Sequence, residues 1–275
     1  MIIVESALTL AGCGFLIWFF FVPSGRAARA RPFGLAVWDV TLTEFLFLAW
    51  LILLAGFLGQ LLLRATVGHA LRTQLEGSTI ELVLYGSTFH IGAIFAWLCA
   101  RLLVRRRRQV AAPPETPSAQ SSPLQTLRGA VLAFLAVMPL AGGTAIAWER
   151  FLNIVGLPTE RQELVDLFVQ TKSPVLLALM IALALVIAPV SEELVFRAGL
   201  FRFLRDRAPR WVAFTVSAGL FALLHGNWVS SLPLFVLGLL FAAAYERTGR
   251  LVVPMLAHAF FNLNTLLLVL GGIGR

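Results

Sequence analysis

Charge is what this sequence has least of. Among 275 residues, 22 are Lys or Arg and 14 are Asp or Glu, 13% of the chain. Soluble domains carry about 25% charged residues, so an ordinary water-exposed surface is excluded. Apolar residues make up 59%, and the mean hydropathy is +0.87. Several apolar runs reach the length that crosses a bilayer. Strict apolar–polar alternation is missing, which excludes a membrane β-barrel and leaves helices. Cysteine is nearly absent too. Cys13 and Cys99 both lie inside apolar runs and read as small buried hydrophobes. The first apolar run lacks a basic start, and the small residues before Arg26 make no clear cleavage site, so no cleavable signal peptide is expected.

Acidic residues are the scarcer sign, leaving a net charge of +8. The arginines flank apolar runs, where membrane topology accounts for them, and no nucleic-acid partner is expected. The runs divide the chain into about eight spans: 7–22, 45–63, 80–104, 127–148, 174 to beyond Arg197, 211–225, 232–245 and 251–270. Between them, 109–126 is rich in Pro, Ser, Ala and Gln and reads as a flexible linker. It separates an N-terminal three-span region, 1–108, from a membrane domain at 127–275. The stretch from Glu149 to Lys172 places Thr159 as an N-cap and Leu164, Leu167 and Phe168 on one face. It predicts an amphipathic helix on the membrane surface. The fold class is therefore all-α, a polytopic helical bundle with a surface helix. With both termini outside, the inner loops collect Arg26, Arg29, Arg31, Arg105–Arg108, Arg128, the Arg202–Arg210 group, Arg247 and Arg250. That is the positive-inside bias, and it predicts an N-out, C-out protein of a bacterial plasma membrane.

Against this scarcity, the segment IALALVIAPVSEELVFRAGL stands out. It sets Glu192 and Glu193 side by side in an apolar helix, with Arg197 one turn later. A charge at membrane depth costs roughly 2.5–3.5 kcal/mol on insertion scales. Counting about 1.5 Å per residue from Arg202, Trp211 and Arg250 puts Glu192 roughly 15 Å, His225 21 Å, and His258 and Asn262 12 and 18 Å from the inner face. Four polar groups on three helices thus share one slab. Glu193 and Arg197 are i,i+4 and suit a structural pair; Glu192, rotated about 100° away, suits the working carboxylate. The reverse assignment uses the same residues. His258 and Asn262 share a face, Phe221 packs one turn before His225, and Pro189 removes a backbone hydrogen bond just ahead of the carboxylates.

Such a set suits activating water against a carbonyl. In one version Glu192, His225 and His258 bind Zn²⁺ with an open position for water. In the other, without metal, Glu192 and His225 activate water while His258 and Asn262 stabilise the oxyanion. No nucleophilic Ser or Cys is clearly placed; Ser191 adjoins Glu192 but suits a bond to a helix carbonyl.

The three motifs, Glu192-Glu193-Leu-Val-Phe-Arg197, Phe221-Ala-Leu-Leu-His225 and His258-Ala-Phe-Phe-Asn262, occur in order over 174–270. The chain there resembles the CPBP intramembrane metalloproteases, the family of type II CAAX prenyl endopeptidases and bacterial Abi proteins. Its pattern is EExxxR, FxxxH and HxxxN. The resemblance implies hydrolysis of a peptide bond within the bilayer, with a peptide or protein substrate. It implies Glu192 as the water-activating carboxylate, partnered by Glu193 and Arg197. His225 is then a second catalytic or metal-binding group, and His258 and Asn262 the remaining ligand or oxyanion donors. A prenylated substrate does not follow from the motifs.

Plainer readings exist for each residue. Glu192 at a helix end is a solvated carboxylate, His225 beside Gly226 is a cap, and His258 with Asn262 is interhelical glue. His90, alone on an apolar helix, reads as a packing residue. Arg105–Arg108 reads as a topology signal first and a site for anionic lipid second. Two other functions compete. A proton-coupled transporter expects polar groups spread along a path, which this compact cluster is not. A non-enzymatic scaffold or immunity protein on the same fold expects Glu192 to be dispensable.

Overall fold

The structure, a computed structural model, describes residues 2–30, 33–66, 77–109, 122–157, 159, 167–168 and 171–271. Among them it is 86% helical with no strands. The helices are α1 (Ile2–Phe21), α2 (Pro23–Ala30), α3 (Leu42–Thr66), α4 (Gly77–Gln109) and α5 (Pro123–Ile154). They continue as α6 (Pro174–Arg205), α7 (Arg210–Leu223), α8 (Trp228–Thr248) and α9 (Val252–Leu270). Each of the eight expected apolar runs is a helix. Among the described residues, seven helices are long and apolar enough to cross a membrane; α7, with 14 residues, is the shorter one. It rises about 21 Å against a hydrocarbon core of about 30 Å. The short α2 was not anticipated: PSGRAARA is too polar for a span, yet Pro23 suits a first turn. The expected surface helix falls mostly at 158 and 160–170, almost wholly outside the described residues.

Local chemistry sets the helix ends. Ser122 accepts from the Leu124 N–H and Ser173 from the Leu176 N–H, each followed by a proline that has no N–H to leave unsatisfied. Asn227 accepts from the Ser230 N–H to start α8, and Gly249, at φ 65°, ends it. A Cβ at Gly249 would also collide with the Gly34 carbonyl oxygen, so a side chain there would push the 33–41 segment away.

Helices α3 and α4 form a hairpin that packs on α6, while α1 and α8 pack on α5, and α9 on α5 and α8. Small residues permit the closest approach: a Cβ on Gly92 of α4 would meet the Ala55 backbone at 2.8 Å. The main core joins Phe134 and Val137 of α5, Phe196 of α6, Phe221 of α7, Phe241 of α8 and Ala257 of α9. The polar cluster sits against that core.

Helix α6 is not regular. It runs as α-helix to Ala182, π-helix over Leu183–Ile187, α-helix over Ala188–Glu192, and π-helix again over Glu193–Phe201. Pro189 gives the first widening a cause, since its ring clashes with the carbonyl one turn back unless the turn opens. The second widening carries the EExxxR segment itself. Single π-turns collect at functional positions because they re-aim side chains.

Candidate active site

The carboxylates separate as their spacing predicts. Glu193 is fully buried and its Oε1 lies 3.0 Å from Nη1 of the equally buried Arg197. The pair meets in charge more than in hydrogen-bond alignment, because Nη1 has no well-angled acceptor. Arg197 is held instead by its setting. Its guanidinium carbon stands 4.4 Å from the Phe221 ring centre and 5.5 Å from that of Phe241, and Nη2 donates to the Gly238 carbonyl at 3.4 Å. Aromatic faces thus compensate a desolvated cation.

Glu192 points to the histidines. Its Oε2 is 4.0 Å from Nε2 of His225 and 3.8 Å from Nε2 of His258. That oxygen is buried and has no hydrogen-bond partner within the protein. Both imidazoles are fixed from behind. His225 Nδ1 lies 2.7 Å from the Phe221 carbonyl and His258 Nδ1 lies 3.1 Å from Glu193 Oε1. A carbonyl only accepts, so His225 Nδ1 carries the proton; a carboxylate likewise draws the proton of His258 to Nδ1. In the neutral rings Nε2 is then bare on both. Two ring lone pairs and a carboxylate oxygen converge on one point, an arrangement that calls for a proton donor or a cation.

Phe221 is more than packing behind His225. Its ring lies 4.7 Å from that of His225 and 6.0 Å from that of His258, besides its contact with Arg197. Its backbone and its ring together organise the three charged or titratable groups. The 0% exposure of Phe221 follows from that central place.

Asn262 stands apart from this convergence. Its Nδ2 donates to the Ala184 carbonyl at 2.8 Å, tying α9 to the first π-helical turn of α6. Ser191 donates to the Ala188 carbonyl at 3.0 Å, the local bond its position suggested. His90 does more than pack. Its Nδ1 lies 2.5 Å from Oγ of Ser191, the residue beside Glu192. Counting residues from the Arg105–Arg108 block sets His90 roughly 22 Å from the inner face, near the depth counted for His225.

Zinc can be weighed against these contacts. One carboxylate and two imidazoles with bare Nε2 atoms, one of them backed by a carboxylate, match a hydrolytic zinc site in kind. In spacing they stand open, at 3.8 and 4.0 Å where tetrahedral ligands lie roughly 3.4 Å apart. Accordingly, no group of three His, Cys, Asp or Glu among the described residues is drawn together tightly enough to hold a metal.

Residues 174–264 match the family model described as type II CAAX prenyl endopeptidase Rce1-like. The chain is 32% identical to the "Putative membrane peptidase YdiL" of Bacillus subtilis over 84 residues, 30% of this chain. It is 39% identical to the "Membrane-embedded CAAX protease MroQ" of Staphylococcus aureus over 83 residues, 28% of this chain. Each of these matches spans 34% of the relative's length. An "Uncharacterized 24.3 kDa protein" of Escherichia coli is 26% identical over 64% of this chain and 80% of its own. No solved structure matches the chain. The resemblance carried by the three motifs holds within the matched segment, Pro174 to Asn264.

Proposed function

We propose that this chain is an intramembrane endopeptidase that hydrolyses a peptide bond of a membrane-associated protein or peptide. The observation that carries the reading is the approach of Glu192 Oε2 to the two bare Nε2 atoms at 4.0 and 3.8 Å. A water held there gives one hydrogen to Glu192 and the other to an imidazole, and its oxygen is left free to attack a carbonyl carbon. Glu192 takes the proton and returns it to the departing amine nitrogen, so the peptide C–N bond breaks to a carboxylic acid and an amine. Buried Glu193 and Arg197 keep His258 and Phe221 in register. General acid–base work of this kind contributes about 10²–10⁴-fold.

The oxyanion needs a donor as well. A bare Nε2 only accepts, and the Asn262 amide already serves Ala184. Were Glu192, His225 and His258 drawn closer than their 3.8 and 4.0 Å, zinc held there would supply Lewis-acid stabilisation of that oxyanion and a more acidic water. Treatment of the purified protein with 1,10-phenanthroline separates the two versions: loss of cleavage that added Zn²⁺ restores assigns the metal. Full activity in the chelator assigns the metal-free version.

The topology follows the positive-inside reading, with N and C termini outside and the Arg202–Arg210 group inside. The substrate class is a peptide with one end anchored in the bilayer, reached beside the short helix α7. His225, just past the C-terminal end of α7, has 26% of its side chain exposed. The test uses the full chain in proteoliposomes and quenched-fluorescent peptides, one prenylated with a CAAX end and one carrying a transmembrane anchor. Cleavage of either that disappears in Glu192→Gln supports the reading. Equal cleavage by wild type and Glu192→Gln, or none by wild type, overturns it.

A further inference from the structure

We infer that His90, from α4 and outside the Rce1-like segment, is a positioning residue for Glu192, acting through Ser191. The inference rests on Glu192 being the working carboxylate. Ser191 and Glu192 occupy a five-residue α-helical stretch, Ala188–Glu192, between two π-helical ones. Regular i→i−4 bonding is interrupted on both sides, so the helix alone does not dictate where Glu192 points. Three contacts from other helices anchor the interval. Asn262 of α9 donates to Ala184, His258 of α9 meets Glu193, and His90 of α4 meets Ser191.

The His90 contact falls on the residue immediately before Glu192, as that of His258 falls on the residue immediately after it, and Glu192 Oε2 has no hydrogen bond to steady it. Ser191 is 2% exposed and its hydroxyl hydrogen is engaged by Ala188. Its oxygen therefore accepts from His90 Nδ1–H, at 2.5 Å, and the chain of donors runs from His90 to Ser191 to Ala188. A supporting residue of this kind sets the aim of the reacting group without touching the substrate, and small displacements of a reacting group cost much rate. It also gives the N-terminal helices a part in the site.

The experiment compares His90→Ala, His90→Asn and Ser191→Ala in the full chain, in proteoliposomes. The Asn amide nitrogen replaces Nδ1 as a donor. Two readouts are taken: cleavage of the anchored peptides, and the rate at which dicyclohexylcarbodiimide labels Glu192, located by mass spectrometry. His90→Ala is expected to lower kcat at least tenfold with KM within twofold. Its labelling rate departs at least threefold from wild type. Ser191→Ala does the same, the double variant is no worse than either, and His90→Asn restores both readouts to within threefold. Wild-type kcat and labelling in His90→Ala, or His90→Asn as impaired as His90→Ala, overturns the inference. If wild type cleaves nothing but labelling still responds in this pattern, the peptidase reading falls and the positioning of Glu192 stands.

Discussion

Among the described residues, two acids are buried beside arginines, Glu246 and Glu193, and they are finished differently. At the end of α8, Glu246 is 1% exposed and both its oxygens are used. Arg205 Nε lies 2.5 Å from Oε1, while Arg210 holds Oε2 through Nη2 at 2.7 Å and shares its Nε between both oxygens at 3.1 Å. Around it the extended segment 33–41 is strapped down. Arg202 donates to the Ala36 carbonyl, Arg207 to that of Val40, and Asp206 accepts from the Trp38 N–H. In the membrane centre, Glu193 shares Oε1 between Arg197 and His258, and Oε2 of both Glu192 and Glu193 lacks a hydrogen bond. A closed network fixes a fold. An open one, in the same low dielectric, costs stability unless a substrate, water or ion completes it. The difference separates a structural clasp from the centre proposed above to act on substrate.

Substitution at Glu192 should sharpen that contrast most. Glu192→Gln is expected to lower kcat/KM by about 10²–10⁴-fold, the scale of a lost general base. Thermal unfolding in detergent should move little or upward, because an unpartnered charge is replaced by an amide. A large drop in Tm with proportionate activity would instead make Glu192 part of the scaffold. Next comes Glu193→Ala. It leaves Arg197, which is 0% exposed, without its counter-charge, and breaking such a pair costs about 3–5 kcal/mol. The folded yield should collapse, with activity lost as a consequence. Glu193→Ala combined with Arg197→Met should recover folded protein but not cleavage, since His258 loses the acceptor on Nδ1.

Glu246→Ala is the reciprocal case. Arg205 and Arg210 keep 30% and 53% of their side chains exposed, so water can take over their charges. The loss is expected at about 1–2 kcal/mol, well under that at Glu193. It should be seen as a lower Tm with kcat per folded molecule unchanged. A fall in kcat at constant Tm would mean that the clasp reaches the site.

Much of this contrast was legible in the residues. Hydropathy found each long helix, because a continuous apolar run of spanning length can satisfy its backbone in lipid only as a helix. Depth counting brought Glu192, His225 and His258 together, because helical rise is nearly constant. The rest depended on contacts between distant segments. His90 gives no local sign: a lone histidine in an apolar run is compatible with packing until Ser191 is placed beside it. Asn262 shares a face with His258, yet its amide follows a carbonyl in a π-helical turn. Pro189 hinted at that disturbance without fixing its extent. Nor does the 33–41 segment, with no periodicity of its own, announce that its carbonyls and amides are taken up by side chains of Arg202, Asp206 and Arg207.

The smallest effect concerns that strap. Asp206 is exposed, and its Oδ2 accepts the Trp38 N–H at 2.6 Å. Asp206→Asn keeps an acceptor oxygen and removes the charge. The change should cost about 0.5–1 kcal/mol, the increment between a charge-assisted and a neutral hydrogen bond at a wet site. Salt should erase part of the difference, because exposed charges are screened within about 10 Å at 0.1 M. Hydrogen exchange at Trp38 gives the direct reading: its amide should open faster in Asp206→Asn while amides of α9 stay as in wild type. If exchange quickened equally at both, the strap and the bundle around Glu192 would open as one unit. The division between clasp and working centre would then be one of chemistry alone, not of stability.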